Sequence, residues 1–169
     1  MVPPMTTTDW RSHLGLKTGS MLGPPLEQFN TVADHIARTR GVGRARAGAM
    51  LDQALGFVHF AAQNPGNAYS PSPEVDKAWD DLVLHSIIYT RWCEASFGRY
   101  IHHTPIADPA NPPPTIGGRA LIRPADTAKL MAAAGYRVDP ELWPDDAEPT
   151  SKANCTSCYS GDHTGDDEP

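Results

Sequence analysis

The 169-residue chain predicts an all-α fold: a single small helical domain of five or six helices over residues 24–143, with a Pro-rich strap and disordered ends. Three observations point there. Apolar residues recur at three- and four-residue spacing in successive windows, each bounded by capping residues, Pro or Gly. No segment alternates apolar and polar residues convincingly enough to read as a strand. The three cysteines are an odd number, so the core must come from packing rather than from a full disulfide framework, and the length suffices for that.

Residues 1–23 are mixed and rich in Gly, Thr and Met, and read as a flexible arm in which Trp10 and Leu14 could dock on the body. After Pro24-Pro25, Leu26, Phe29, Val32, Ala33 and Ile36 mark an amphipathic helix with Gly41 just past its end; His35 sits beside the stripe as a boundary residue. A second helix over about 44–63 places Ala47, Met50, Leu51, Ala54, Leu55 and Val58 on one face, with Gly48 and Gly56 permitting close approach, and Asn64-Pro65-Gly66-Asn67 stops it. Arg38, Arg40, Arg44 and Arg46 cluster around the intervening turn. They read as a solvated helix junction or as a docking site for an acidic segment or anionic ligand.

The next helix starts at Ser72-Pro73-Glu74. Ser72 caps, Pro73 suits the first helical position because its missing N–H would be unpaired there, and Glu74 opposes the dipole. Val75, Ala78, Trp79, Leu82 and Val83 share one face. His85-Ser86 predicts a break, with Ser86 capping a second helix that carries Tyr89, Trp92, Cys93 and Phe97 and ends at Gly98; one unbroken helix is the alternative. Residues 106–118 contain Pro112-Pro113-Pro114 and read as a strap or loop. A helix over 127–134, with Leu130 and Met131 inward and Gly135 capping, precedes a turn that drops Trp143 onto the body. Residues 144–169 read as an acidic disordered tail with a Cys-x2-Cys pair.

The pattern Pro71-Ser72-x-x-Val75-Asp76-x-x-Trp79, then Tyr89, Cys93 and Gly98-x-Tyr100-Ile101-His102-His103-x-Pro105, resembles the repeat core of the glycine-rich domain-containing proteins, in particular small bacterial members. The resemblance covers residues 69–105. That family usually reads Val-Asp-x-x-Trp-His; here Asp80 follows Trp79. The resemblance implies an all-helical domain and an intracellular protein.

Charge narrows the partners. Net charge is −6, and residues 144–169 hold seven acidic side chains against Lys152 alone, so the remainder is balanced. A neutral body with an acidic tail argues against nonspecific nucleic-acid binding, since no basic surplus exists to release counterions. The tail is expected to sample the Arg38–Arg46 patch weakly under screening. No apolar run resembles a signal peptide or a membrane helix, so the expectation is a cytoplasmic protein with an unidentified protein or small-molecule partner, no nucleic acid and no membrane.

The candidate chemistry lies in histidines, carboxylates and cysteines. His102 and His103 are adjacent and point in different directions, so one can bind metal while the other packs. His85 and Cys93 lie nearby in sequence, and Asp76, Asp80 and Asp81 are the candidate carboxylates. Such ligands suit Zn or Fe. The bland alternatives are that a histidine of the pair bonds backbone and fixes the Pro105 turn, that Asp76 serves the helix N-terminus, that Trp79, Tyr89 and Trp92 are core aromatics, and that Cys93 is an inert buried thiol. Cys155, Cys158 and His163 form half of a zinc-knuckle pattern that lacks a fourth ligand; Asp162, a body histidine or a second chain could supply one.

The leading expectation is a small helical accessory protein that binds metal through body histidines, tail cysteines or both. The alternatives are a non-catalytic interaction domain, a ribosomally made peptide precursor whose tail Cys, Ser and Thr are modified, and an enzyme. No nucleophile–base pair or phosphate loop is readable for the last.

Overall fold

The computed structural model describes residues 15–154. Six helices carry most of these residues: α1 (Gly19–Leu22), α2 (Leu26–Arg40), α3 (Arg44–Gln63), α4 (Pro73–Leu84), α5 (Ser86–Phe97) and α6 (Pro124–Ala133). Five short strands accompany them: β1 (Ala68–Tyr69), β2 (His102–Pro105), β3 (Thr115–Ile116), β4 (Arg119–Ile122) and β5 (Ser151–Asn154). The domain is therefore mainly helical but not all-α.

Local signals account for most helix limits. Gly41 and Gly98 adopt positive φ at the ends of α2 and α5, a conformation that costs a side chain energy and glycine little. Ser72 accepts the Val75 N–H at 3.3 Å and caps α4, with Pro73 in its first turn. The break at His85 is present, but Ser86 opens α5 as its first residue, and His85 occupies the cap position without a side-chain bond. Within the first helical windows, Leu26 proves exposed, as is Leu130 on α6, while Met131 is fully buried.

Helix α3 forms the hub, buried along nearly its whole length. Helices α2 and α4 pack on it, and α1 lies across it so closely that a Cβ on Gly19 would stand 1.7 Å from the Asp52 carbonyl oxygen. The segment predicted as an arm thus contains a docked turn, which the Asp52 carboxylate holds by accepting the Ser20 N–H at 2.7 Å. Trp92 Nε1 donates to the Leu22 carbonyl at 2.9 Å and ties α5 to the same turn. Trp10 and Leu14 lie outside the described residues.

Gln53 of α3 locks the C-terminal part of the body. Its buried amide oxygen accepts from Trp143 Nε1 at 2.9 Å and from the Asp139 N–H at 3.1 Å, while its Nε2 donates to the Arg137 carbonyl at 3.1 Å. Trp143 is buried as a result.

The strands correct the helical reading. β1 pairs in parallel with β4, and β4 pairs antiparallel with β3. Gly117 and Gly118 both take positive φ in the two-residue β3–β4 turn, the conformation that such a turn demands at both positions. β2 and β5 form a separate antiparallel ribbon, with His103 opposite Ala153 and Pro105 opposite Ser151. Residues 144–154, predicted to belong to a disordered tail, are therefore partly built into the body. Glu148 accepts from Arg123, not from the Arg38–Arg46 patch. Three of that patch's four arginines pair within the body: Arg40 with Asp81, Arg44 with Asp34 and Arg46 with Glu141.

Candidate metal centre

Two carboxylates four residues apart on one helix share a face. Asp76 and Asp80 of α4 do so, and β2 brings His103 to them. His103 Nε2 lies 2.8 Å from Asp76 Oδ1 and 3.0 Å from Asp80 Oδ1. Among the described residues, these three offer ligand atoms all within 4.8 Å of one another, a spacing that can hold a metal ion. The Asp76 and His103 side chains are 11% and 12% exposed, whereas that of Asp80 is 47% exposed, so the cluster opens to solvent on the Asp80 side.

Two layers of structure hold it. Thr150 Oγ1 donates to Asp76 Oδ2 at 2.6 Å, and Ser151 Oγ donates to Asp76 Oδ1. Behind His103, the Trp79 ring stands edge-on at 4.3 Å between centroids. Trp79 Nε1 donates to the Tyr89 hydroxyl at 3.0 Å, and Tyr89 donates onward to the Ile101 carbonyl at 2.6 Å, two residues before His103. The motif aromatics thus set the position of β2. Burial pushes the Tyr89 phenol well above its ordinary pKa, so it remains a hydroxyl donor.

Charge and burial compete at the cluster. Burial pushes the His103 pKa down, but the hydrogen bond to Asp76 and the negative charges of Asp76 and Asp80 outweigh it, and the pKa is raised. Burial pushes Asp76 up, yet the bonds from His103, Ser151 and Thr150 bring its pKa below the ordinary value. Asp80 is raised, first by burial and then by the Asp76 charge. Its Oδ2 lies 3.9 Å from Arg40, whose guanidinium is otherwise committed to Asp81.

The signs give a pH prediction. A raised His103 contributes stability that is full below its unfolded pKa of about 6.5 and is lost as pH rises through its folded value. A lowered Asp76 contributes stability present above about 3.9 and lost as pH falls through its folded value. Asp80, raised, favours folding in its protonated form and opposes it as pH rises. The lowered pKa values of His59 and His85 act in the opposite sense to His103. Comparison with His103→Gln isolates the pair: in chelator, urea denaturation should show wild type losing more stability than the variant between pH 5.5 and 8.5.

The other sequence candidates are placed as follows. His102 faces solvent, its ring against Tyr100 at 4.8 Å, and does not join the cluster. His85 packs edge-on against His35 at 4.9 Å, and neither Nε2 has a hydrogen-bond partner among the described residues; Asp81 lies 3.9 Å from the His35 nitrogen. His85 is therefore separate from His103. Cys93 is buried in the core beside Tyr89. Cys155, Cys158 and His163 lie outside the described residues. Thr150 and Ser151 were missed because they fall in a stretch whose composition reads as tail. No local signal marks them, and only the β2–β5 pairing brings them to Asp76.

Comparison of the chain with protein-family models, with curated proteins and with solved structures finds no match.

Proposed function

We propose that Asp76, Asp80 and His103 bind one divalent cation, with Zn the leading candidate and Fe the next, and that the protein is a small, mainly helical metal-binding accessory protein. The observation that carries this reading is the convergence of two carboxylates and one imidazole on a point with one solvent-open side. Three protein ligands with a free position form a common zinc arrangement, and oxygen-rich sets with a histidine also suit iron. A cation would relieve the repulsion between Asp76 and Asp80. Thr150 and Ser151 would act as outer partners that orient the Asp76 carboxylate.

The resemblance to the glycine-rich domain-containing proteins belongs to the same proposal. Three positions of that pattern, Asp76, Asp80 and His103, are those that converge. Asp80 stands where the family usually carries His, so this chain would offer a more anionic ligand set.

A second reading has its own support. Asp76 already accepts from His103, Thr150 and Ser151, so the cluster also suits a clasp that pins the β2–β5 ribbon to α4 in a non-catalytic interaction domain. Metal analysis of untagged protein after Zn loading and buffer exchange separates the two. The metal reading expects one equivalent in wild type and loss of stoichiometric binding in Asp80→Asn, whose half-exposed position leaves the fold intact. Wild type without metal supports the clasp. The Cys155→Ser/Cys158→Ser double variant reports whether the tail joins: retained binding assigns the site to the body alone.

A further inference from the structure

The β2–β5 ribbon has a second face. Residues opposite each other in an antiparallel pair share a face, and successive residues alternate. Ser151 therefore reaches Asp76 on one side, while Lys152, opposite Thr104, serves the other. There Lys152 lines a cavity of about 360 Å³ together with Ile106, Asp108, Asn111, Pro113 and Ile116. That volume lies at the small end of the range for small-molecule sites, and a mostly apolar wall with few polar groups is their usual character.

Lys152 differs from the other three lysines. Lys77 pairs with Glu74 at 2.5 Å, and Lys129 pairs with Asp126 at 3.2 Å. Lys17 donates to the Ala134 carbonyl at 3.3 Å and lies over the Tyr136 ring. The Lys152 amine has no hydrogen bond or ion pair among the described residues. Asp108 also lines the cavity, but its carboxylate is engaged by the Ala110 N–H at 3.1 Å and by Asn111 Nδ2 at 3.0 Å. An unpaired amine against an apolar wall is the setting in which a lysine serves as a nucleophile toward carbonyl groups.

We propose that Lys152 takes a small aldehyde or ketone with an apolar body into this cavity as an imine. The ammonium first loses a proton to solvent, a step that burial favours by lowering the Lys152 pKa. The amine lone pair then attacks the carbonyl carbon and the C–N bond forms. The carbinolamine loses its oxygen as water, taking the two remaining amine protons in sum, and the C=N bond replaces C=O. No electron acceptor or donor is consumed. Ile106, Pro113 and Ile116 would hold the apolar body of the ligand.

Reductive trapping tests this on the full chain. Protein is incubated with benzaldehyde and cyanoborohydride near neutral pH, and peptide mass spectrometry gives the rate at each lysine. Lys152 is expected to be alkylated severalfold faster than Lys17, Lys77 or Lys129, because the cavity seats the carbonyl beside its unpaired amine. Lys152→Arg should remove the fast phase. Ala107→Trp, which fills part of the cavity and keeps the amine, should slow Lys152 to the rate of the others. Equal rates at all four lysines in wild type would overturn the proposal. So would a Lys152 rate unchanged by Ala107→Trp, since reactivity would then owe nothing to the cavity.

Discussion

Replacement of His103 by Ala is expected to cost about 3 kcal/mol of folding free energy and to abolish stabilisation by zinc. Removing one partner of a buried ion pair typically costs about 3–5 kcal/mol, because the other charge is left without compensation. Asp76 keeps its bonds from Thr150 and Ser151, which places the loss at the low end. Asp80 is half exposed and recovers water, so it adds little. A ligand that binds only the folded state stabilises it by about 2.7 kcal/mol at a hundredfold excess over its Kd. Urea denaturation with chelator and with Zn should therefore show a gain of this kind in wild type and none in the variant. An equal gain in both would place the metal elsewhere.

Trp79→Ala is expected to cost about 3–5 kcal/mol, the usual loss for truncating a buried aromatic, against a total stability of about 5–15 kcal/mol for a domain. Trp79 is fully buried and packs edge-on against Phe57 at 5.4 Å as well as against His103. Trp79→Phe separates packing from positioning. It retains much of the apolar area but removes the donor to Tyr89, at a cost of about 1 kcal/mol. The Tyr89 hydroxyl then loses one of the bonds that hold it under Ile101, and the seat of β2 loosens. Metal affinity should fall in Trp79→Phe although the thermal transition remains cooperative. Unchanged affinity would show that the indole N–H does not position His103.

The helices were legible because their signals are local. Ser72-Pro73, Gly41 and Gly98 each act within a turn of the residue they cap, and the spacing of Val75, Ala78, Trp79 and Leu82 states which face of α4 is buried. The same spacing puts Asp76 and Asp80 side by side. Beyond that, legibility depended on range. His103 meets Asp76 only because a strand returns across α4, and Thr150 and Ser151 come from still farther along the chain. The strands span two to four residues, too short for alternation to appear against helical periodicity. β5 is hidden further by acidic neighbours whose composition reads as disorder. One signal is present but lies beside a stronger one: Gly117-Gly118 between Thr115-Ile116 and Arg119-Ala120 has the form of a two-residue hairpin, whereas the preceding run of prolines reads as a strap. Ser86 shows a different limit. Its preference for helix ends located the break correctly, while His85, with ψ 60° and a backbone N–H bonded to Leu82, took the cap position.

The most direct test of the metal centre is nitrogen-15 NMR of the histidine rings during Zn titration in the full chain. Metal coordination replaces the proton at His103 Nε2, so binding must release protons and strengthen as pH rises through the His103 pKa. The account predicts that the His103 Nε2 resonance moves to a metal-bound position with a stoichiometry of one, while His102 and His85 remain unchanged. A His103 resonance that stays that of a protonated ring paired with Asp76 at saturating Zn would contradict it.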